Sequence, residues 1–333
     1  MIFLLGPTAV GKSEVAIELA SRIGGEIVSA DSMQIYRGMD VGTAKPLLKE
    51  RRGIPHHLMD VMDIHERCDV ARFRKLAHTA ILDIRKRGAQ PIIVGGSGLY
   101  VRALTQGLFE GPGRNEKVRA DLDKLDTKAL HERLKEMDSD AAARISPQDR
   151  RRMIRALEFF MTTGQPISAI QTQWIAPSES LFENPPLLTK EGLGEVGRDQ
   201  ATPCSPPCQG GHLKRQNDPH LIGLNRPRAE LYRRCDARVE AMFPRGFIDE
   251  VRDLMKRGLK ESPTAAKAIG YREVMQHLSG ELALDETIEC VKKSTRNFVK
   301  RQLTWFRREP DVKWMDLSEK DSASEIAARI QTW

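Results

Sequence analysis

The chain has 333 residues, of which 40% are hydrophobic and 30% charged, a balance typical of globular proteins rather than fibrous or disordered ones. Its sequence contains no run near the ~20 consecutive apolar residues of a membrane-spanning helix, so we expect no membrane partner. The net charge of +7 is compatible with a polyanionic partner, although many basic proteins bind none.

The beginning of the chain and its cysteines bear on location. Met1 leads directly into the apolar run Ile2–Leu5, and a glycine motif begins at Gly6, which leaves no room for a signal peptide. The one close cysteine pair, Cys204 and Cys208, has no second pair to complete a zinc site. We therefore expect a cytoplasmic protein with free thiols.

Short apolar runs and helical patterns alternate along the chain. Ser13–Ile23 and Val70–Arg87 carry apolar residues at helical spacing, and each lies between apolar runs of strand length. Strands that alternate with helices predict a parallel, doubly wound α/β sheet whose ligand sits at the strand ends. The predicted buried strands are Ile2–Leu5, Glu26–Ala30, Pro91–Val94 and His220–Leu224.

The pattern changes twice along the chain and predicts four parts. Residues 1–114 form the first part of an α/β core, and residues 115–174 are a wholly helical, highly charged insertion. Residues 175–219 are rich in Pro, Gly, Ser and Glu, and we expect this low-complexity insert to be disordered. Residues 220–333 return to the core with one strand and several helices, some of them basic.

The strongest motif is a glycine loop with the sequence GPTAVGKS, which satisfies G-x-x-x-x-G-K-[ST] between a strand and a helix. Its glycines let backbone N–H groups point at phosphate oxygens, and the helix adds its positive N-terminal end. Lys12 supplies a point charge, and the Ser13 hydroxyl suits a magnesium ion. The motif and the alternation of strands and helices predict a P-loop NTPase-like core, a parallel sheet flanked by helices, and the helical residues 115–174 add an insertion domain to it. The predicted phosphate site comprises Gly6, Pro7, Thr8, Ala9, Val10, Gly11, Lys12 and Ser13.

The loop does not identify the phosphate compound. An NTPase normally adds a second apolar strand that ends in Asp and holds the metal. The best candidate strand, Ile92–Val94, runs into Gly95 and Gly96 without a carboxylate. This weakens an ATPase interpretation and leaves room for a diphosphate substrate. An ATP-dependent small-molecule or nucleoside kinase stays open as the alternative.

An acidic residue follows the second predicted strand. Asp31 ends Glu26–Ala30, which we expect to neighbour the P-loop strand, so that the carboxylate faces the same crevice. Such a carboxylate could bind metal, cap the next helix or act as a general base, and spacing does not decide among them. Gln34, three residues later, can hydrogen-bond the edge of a base.

Two basic segments suggest a large anionic partner. Val291–Arg308 carries seven Lys and Arg residues and no acidic one, and Arg150–Arg152 forms a second cluster with Arg155. Two separated basic surfaces favour an extended polyanion such as RNA. The alternative is a solvated charged face over a packed core, and an RNA-binding protein without catalysis is also open.

The chain resembles the tRNA dimethylallyltransferases, also called tRNA isopentenyltransferases. The matching segments follow the order of that family and span almost the whole chain, with residues 175–219 as the main departure. They are GPTAVGKS (6–13), SADSMQIYRGMDVGTAKP (29–46), IPHHLMDV (54–61), VGGSGLY (94–100), RRMIRALE (151–158), AIGYREV (268–274) and TRNFVKRQLTWFR (295–307).

The resemblance implies a reaction. A dimethylallyl group would pass from dimethylallyl diphosphate to the exocyclic amine of the adenosine 3′-adjacent to the anticodon, in tRNAs that read codons starting with U. Thr8 and Lys12 would act within a P-loop that holds the diphosphate, with Mg²⁺ near Ser13. Asp31 would take the proton from the amine, and Arg228 would steady the departing diphosphate.

The resemblance also implies an interface for the tRNA anticodon stem-loop. A bacterial-type enzyme is expected, since the zinc finger of eukaryotic relatives has no counterpart here, and a monomer is expected because nothing demands a dimer. The implied RNA contacts are Asp31, Ser32, Met33, Gln34 and Ser97 near the base; Arg119, Arg151, Arg152 and Arg155 in the insertion; and Lys267, Gly270, Tyr271, Arg272, Lys300, Arg301, Gln302 and Arg307 towards the end of the chain.

Overall fold

The computed structural model describes residues 1–107, 111–170 and 219–332. The described residues fall into two compact units, one within 1–101 and 178–333 and the other within 102–177. The predicted boundaries at 114/115 and 174/175 stay predictions. The disorder expected for residues 175–219 concerns a segment that lies, apart from its last residue, outside the described residues.

A six-stranded sheet organises the first unit, and every pair of neighbouring strands in it is parallel. This confirms the predicted α/β class. The strand order is β3-β2-β4-β1-β5-β6. The strands are β1 (Ile2–Leu5), β2 (Gly25–Ser29), β3 (His56–His57), β4 (Gln90–Gly95), β5 (His220–Asn225) and β6 (Lys313–Asp316).

The strand that precedes Asp31 does not neighbour the P-loop strand, so that prediction is wrong. β4 lies between β1 and β2, with Leu5 opposite Gly95 and Ser29 opposite Val94. β4 is buried except at its first residue, and a strand on each side is needed to pair its backbone groups. The carboxyl ends of all three strands still meet at one edge, so Asp31 and the P-loop share that edge.

The prediction of a single strand after residue 219 is also wrong. β6 pairs with β5, with Ile222 opposite Lys313 and Asn225 opposite Asp316. Only Met315 of this strand is buried. An edge strand tolerates charged residues at the positions that face water, which removes the apolar run by which the other strands are recognised.

Helices cover both faces of the sheet, and the helices predicted near Ser13–Ile23 and Val70–Arg87 are present. Leu19 of the first of them and Val299 of the longest pack with Leu4 and Ile92 in one core. None of the described helices is long and apolar enough to cross a membrane. The helices of this unit are α1 (Lys12–Ile23), α2 (Val70–Lys86), α3 (Gly98–Thr105, which continues into the second unit), α9 (Arg228–Met242), α10 (Phe247–Lys256), α11 (Tyr271–Leu278), α12 (Leu284–Phe306) and α13 (Ala323–Gln331).

The second unit is helical, and a buried carboxylate lies within it. Glu158 is fully buried and accepts hydrogen bonds from Nε and Nη2 of Arg119, each at 2.8 Å, and from Nη1 of Arg155 at 2.8 Å. The N–H of Asn115 adds a fourth at 2.7 Å. Its helices are α4 (Glu116–Asp123), α5 (Thr127–Met137), α6 (Ser139–Arg144), α7 (Arg150–Thr163) and α8 (Ile167–Ile170).

Hydrogen bonding outweighs burial at this carboxylate. Burial by itself raises the pKa of Glu158, but the bonds from Arg119, Arg155 and the N–H of Asn115 lower it to about 2. The folded pKa therefore lies below the value of about 4.3 expected in an unfolded chain. Glu158 stabilises the fold above that unfolded value, and its contribution is lost as pH falls towards the folded pKa.

We predict that Glu158→Ala destabilises the protein by about 3–5 kcal/mol, because two arginines lose a buried partner. Urea unfolding at pH 7 measures this loss, and the difference from wild type should shrink as pH falls from about 4.5 towards 2. The control is Glu132→Ala, which breaks a surface pair with Lys135. Its stability should stay close to that of wild type, because water screens an exposed pair. Equal effects of the two variants would contradict the buried-network account.

Candidate active site

The loop that joins β1 to α1 has a backbone that only a few sequences can adopt. Gly6, Ala9 and Gly11 have φ angles of +143°, +64° and +106°. A Cβ on Gly6 would lie 2.6 Å from the carbonyl oxygen of Leu224, so glycine is required there for space as well as for φ. The loop is thereby held against β5 at the carboxyl edge of the sheet.

A cavity of about 1150 Å³ opens at this edge. Small-molecule sites typically occupy about 300–1,000 Å³, so there is room for a diphosphate compound and part of a second ligand. Gly6, Pro7 and Val10 of the loop are buried behind it. The loop residues that line the cavity are Thr8, Ala9, Gly11, Lys12 and Ser13.

The P-loop lysine folds back onto its own loop. Its Nζ donates to the carbonyl oxygens of Gly6 at 2.9 Å and Pro7 at 2.7 Å. Burial, together with the nearby positive charge of Arg238, lowers the pKa of Lys12 to about 7. An anion in the cavity would favour the charged form and raise this pKa.

Two arginines of α9 reach the loop, and sequence analysis missed both. Arg238 donates to the hydroxyl oxygen of Thr8 at 3.2 Å and to the carbonyl oxygen of Thr43 at 3.4 Å. Arg234, one helical turn earlier, donates to the carbonyl oxygen of Ala9 at 2.8 Å. Both line the cavity. Their spacing of four residues, which places them on one face of a helix, is a signal that could have identified the pair.

The structure does not bring Arg228 to the P-loop. Arg228 is the first residue of α9, is exposed, and donates from Nε to the hydroxyl of Tyr232 at 2.7 Å. It is not among the described residues that line the cavity. The arginines of α9 that do line the cavity are Arg234 and Arg238.

Asp31 lies in the cavity wall and closes a turn. Its Oδ1 accepts the N–H of Met33 at 2.8 Å and that of Gln34 at 3.3 Å. Of the roles left open by the sequence, this turn resembles the capping role, and it uses only one carboxylate oxygen. The second oxygen is not used by the turn, so binding a metal or accepting a proton is compatible with it.

The other residues implied to lie near the base line the same wall. Ser32, Met33, Gln34 and Ser97 all border the cavity. The side-chain amide of Gln34 is engaged within the protein, because Oε1 accepts from Ser29 at 3.0 Å and Nε2 donates to the carbonyl oxygen of Thr43 at 3.2 Å. The structure therefore brings the whole predicted base-side set together with the P-loop.

The RNA contacts implied for the end of the chain divide into two groups. Arg272, Lys300 and Arg307 are exposed and do not line the cavity in the described part of the chain. Tyr271 is buried, and its hydroxyl donates to Glu250 at 2.6 Å. Lining the cavity are Lys267, Gly270, Tyr271, Arg301 and Gln302.

The arginines implied for the insertion also divide. Arg151 and Arg152, at the start of α7, are exposed. Arg119 and Arg155 instead use their guanidinium groups to hold the buried Glu158. Only the first pair offers charge to water in a way that suits an RNA backbone.

Comparison with known proteins identifies the family. The IPP transferase family matches residues 34–309 of the chain. A tRNA dimethylallyltransferase from Geobacter metallireducens is 43% identical over 326 residues, which is 96% of this chain and 93% of the relative. The chain belongs to the IPP transferase family of tRNA dimethylallyltransferases. This confirms the resemblance seen in the sequence.

Other similar proteins match almost the whole of this chain. A tRNA dimethylallyltransferase from Carboxydothermus hydrogenoformans is 41% identical over 338 residues, covering 100% of this chain and 96% of the relative. The crystal structure of a tRNA isopentenylpyrophosphate transferase from Bacillus halodurans, 35% identical, matches with a TM-score of 0.65 and coverage of 99% and 95%. A eukaryotic dimethylallyltransferase acting on tRNA, 26% identical, matches with a TM-score of 0.77 and coverage of 99% and 77%.

We predict that, above pH of about 7, Lys12 takes up a proton when an anion binds to the P-loop. The Kd for inorganic diphosphate should weaken by up to about tenfold per pH unit between pH 7 and 9, and calorimetry should detect proton uptake. The matched control is Lys12→Arg, which stays charged throughout this range. If the pH dependence of wild type equals that of Lys12→Arg, the lowered lysine pKa plays no part in binding.

Proposed function

We propose that this IPP transferase moves the dimethylallyl group of dimethylallyl diphosphate to the exocyclic amine of the adenosine 3′ to the anticodon, in tRNAs that read codons starting with U. The observation that carries the proposal is that one cavity holds both the P-loop and the wall around Asp31. A phosphate-binding loop and a candidate base thus border the same cavity. Transfer of a group between two substrates requires that both substrates bind side by side in this way.

The diphosphate end is assigned to the P-loop side. The N-terminus of α1 begins at Lys12, and Arg234 and Arg238 contact the same loop. Negative charge grows on the diphosphate as the bond between its oxygen and the prenyl carbon breaks. Cations and N–H dipoles fixed in advance stabilise that charge without reorganisation. We assign to Arg238, with Arg234, the role that the resemblance implied for Arg228.

Magnesium belongs to this proposal as well. The Ser13 hydroxyl and the Asp31 carboxylate both line the cavity, and oxygen donors of this kind suit Mg²⁺, which shares its remaining positions with water and phosphate oxygens. Ser13 is the first candidate ligand, because it is exposed at the start of α1. When bound there, the ion would neutralise part of the diphosphate charge.

We assign to Asp31 the role of accepting the proton that the adenine amine loses. The amine nitrogen of the adenine forms a bond to the first carbon of the prenyl group, the carbon–oxygen bond to diphosphate breaks, and the nitrogen gives up one proton. The oxygen of Asp31 that the turn leaves unused is the acceptor for that proton. The turn fixes the carboxylate, so little rearrangement is needed when the adenine arrives.

The tRNA must present an unstacked base, because a stacked adenine cannot reach into a cavity. Exposed cations on both units support an RNA partner, since contacts to phosphates provide most of the affinity for nucleic acid. The exposed candidates are Lys300 on α12, Arg307 directly after it, and Arg151 and Arg152 on α7. We place the reaction in the cytoplasm and assign it to a monomer.

The rival function, an ATP-dependent kinase, would need an Asp at a strand end to hold the metal. β4 lies directly beside β1, which is where an NTPase places the strand whose terminal Asp holds the metal. Here the strand ends at Gly95 and continues into Gly96 and Ser97. The space near Gly95 is closed by Ala30, whose carbonyl oxygen would lie 2.3 Å from a Cβ at that position. This arrangement supports a diphosphate substrate over ATP.

We predict that purified protein, given unmodified tRNA, radiolabelled dimethylallyl diphosphate and Mg²⁺ without ATP, labels the adenosine 3′ to the anticodon. Asp31→Asn should lower the transfer rate by about 10²–10⁴-fold, because the amide cannot take the proton, and should leave tRNA affinity within about twofold. The control is Asp83→Asn, an exposed residue of α2, which should transfer like wild type.

Two results would count against this account. No label with wild type, together with ATP-dependent phosphorylation of a small substrate, would replace the proposal with the kinase. Turnover of Asp31→Asn at the wild-type rate would keep the reaction but remove the base role from Asp31.

A further inference from the structure

Gln302 occupies an unusual place on the basic helix. It lies in the last third of α12, directly after the exposed Lys300 and Arg301, yet Gln302 itself is only 6% exposed. A buried side-chain amide needs hydrogen-bond partners, because an unpaired one costs about 1–3 kcal/mol. Its partners indicate what it does.

Both ends of the amide are used by backbone groups of the active site. Oε1 accepts the N–H of Thr8 at 2.9 Å, and Nε2 donates to the carbonyl oxygen of Gly96 at 3.0 Å. The two partners fix the orientation of the amide, since only its oxygen can accept from an N–H and only its nitrogen can donate to a carbonyl. One side chain therefore connects the P-loop to the turn after β4.

The first partner connects Gln302 to the diphosphate side. With its N–H given to Gln302, Thr8 uses its hydroxyl oxygen to accept from Arg238 at 3.2 Å. Thr8 is thus held from two directions, and it lines the cavity. A loss of the Gln302 bond would free the beginning of the loop whose shape positions the leaving group.

The second partner connects Gln302 to the base side. A Cβ on Gly96 would lie 2.1 Å from Nε2 of Gln302, so glycine is needed there to admit the amide. The next residue, Ser97, donates its N–H to the carbonyl oxygen of Ala30, immediately before Asp31, at 3.4 Å. A Cβ on Gly98 would meet the ring of Trp305 at 2.2 Å. The turn is therefore built around α12.

We propose that Gln302 is a positioning residue for prenyl transfer, which holds Thr8 and Gly96 in register, and not a contact to tRNA. The proposal rests on the proposed function, because it assigns to Gln302 the geometry of that reaction. It separates Gln302 from Lys300, two residues earlier, whose exposed ammonium is available to RNA. The resemblance placed both in one RNA-binding set.

Three variants of α12 test the proposal. Gln302→Met keeps a similar volume but removes both hydrogen bonds. Lys300→Ala removes an exposed cation and is the reference for a lost RNA contact. Asn297→Ala changes an exposed residue of the same helix outside the site and should match wild type. For each, tRNA affinity, the single-turnover transfer rate at saturating substrates and the thermal midpoint are measured.

We expect Gln302→Met to transfer about 10–100-fold more slowly than wild type, since small displacements of reacting groups can cost about 10²-fold. Its tRNA affinity should stay within twofold, whereas Lys300→Ala should bind tRNA less tightly. Weaker tRNA binding by Gln302→Met with an unchanged rate would overturn the proposal, and so would wild-type values for both. Wild type is assayed alongside, so absence of transfer in wild type would refute the proposed function instead.

Gln302→Glu supplies a second readout that does not require Gln302→Met to fold. Its ionised carboxylate can accept from Thr8 but repels the carbonyl oxygen of Gly96, whereas the protonated acid can donate to it. The transfer rate of Gln302→Glu relative to wild type should therefore rise at least fivefold as pH falls and the acid becomes protonated. A ratio that does not change with pH would contradict the positioning role.

Discussion

Close backbone contact at the carboxyl edge of the sheet is the constraint on which the site depends. Gly6 lies against the carbonyl oxygen of Leu224, and Gly95 lies against that of Ala30, each too near for any Cβ. These contacts bring the ends of β1, β2, β4 and β5 to one place. A phosphate loop from one strand and a carboxylate from another can then share a cavity, although the strands that carry them are not neighbours.

The charge arrangement follows from that geometry. Burial lowers the pKa of Lys12 and of Arg238, and the positive charge of Arg238 lowers that of Lys12 further. Asp31 is a partial counterweight for both. An anion bound in the cavity would compensate the positive charge of these cations. The cavity therefore favours a ligand that carries several negative charges. The helical unit uses charge differently, because Arg119 and Arg155 compensate a buried carboxylate and thereby hold their own helices together.

Short sequence patterns predicted much of the fold. The alternation of strands and helices and the glycine loop each depend on residues that are near one another in the sequence, and each is present in the structure. The predictions that were wrong concern strands that pair with segments far away in the sequence. The order of β2, β4 and β1 depends on pairing between strands that are far apart in the sequence, and β6 has too few apolar residues to be recognised.

The candidate site shows the same limit. Arg238 reaches Thr8 across 230 positions and Gln302 reaches it across 294, so no local pattern could assign either contact. The resemblance led to Arg228, which is on the same helix as Arg238 but is exposed and does not line the cavity in the described part of the chain. Identity of a residue type within a matching segment does not show whether its side chain faces the cavity, the solvent or another part of the backbone.

The central claim is that one cavity holds the diphosphate on the P-loop and the adenine at Asp31. A crystal structure with an anticodon stem-loop and an unreactive thio-analogue of dimethylallyl diphosphate tests it most directly. The account predicts diphosphate oxygens on the loop between Thr8 and Ser13, and the adenine amine within about 3 Å of the Asp31 carboxylate. An adenine bound elsewhere, or a diphosphate held away from this loop, would contradict it.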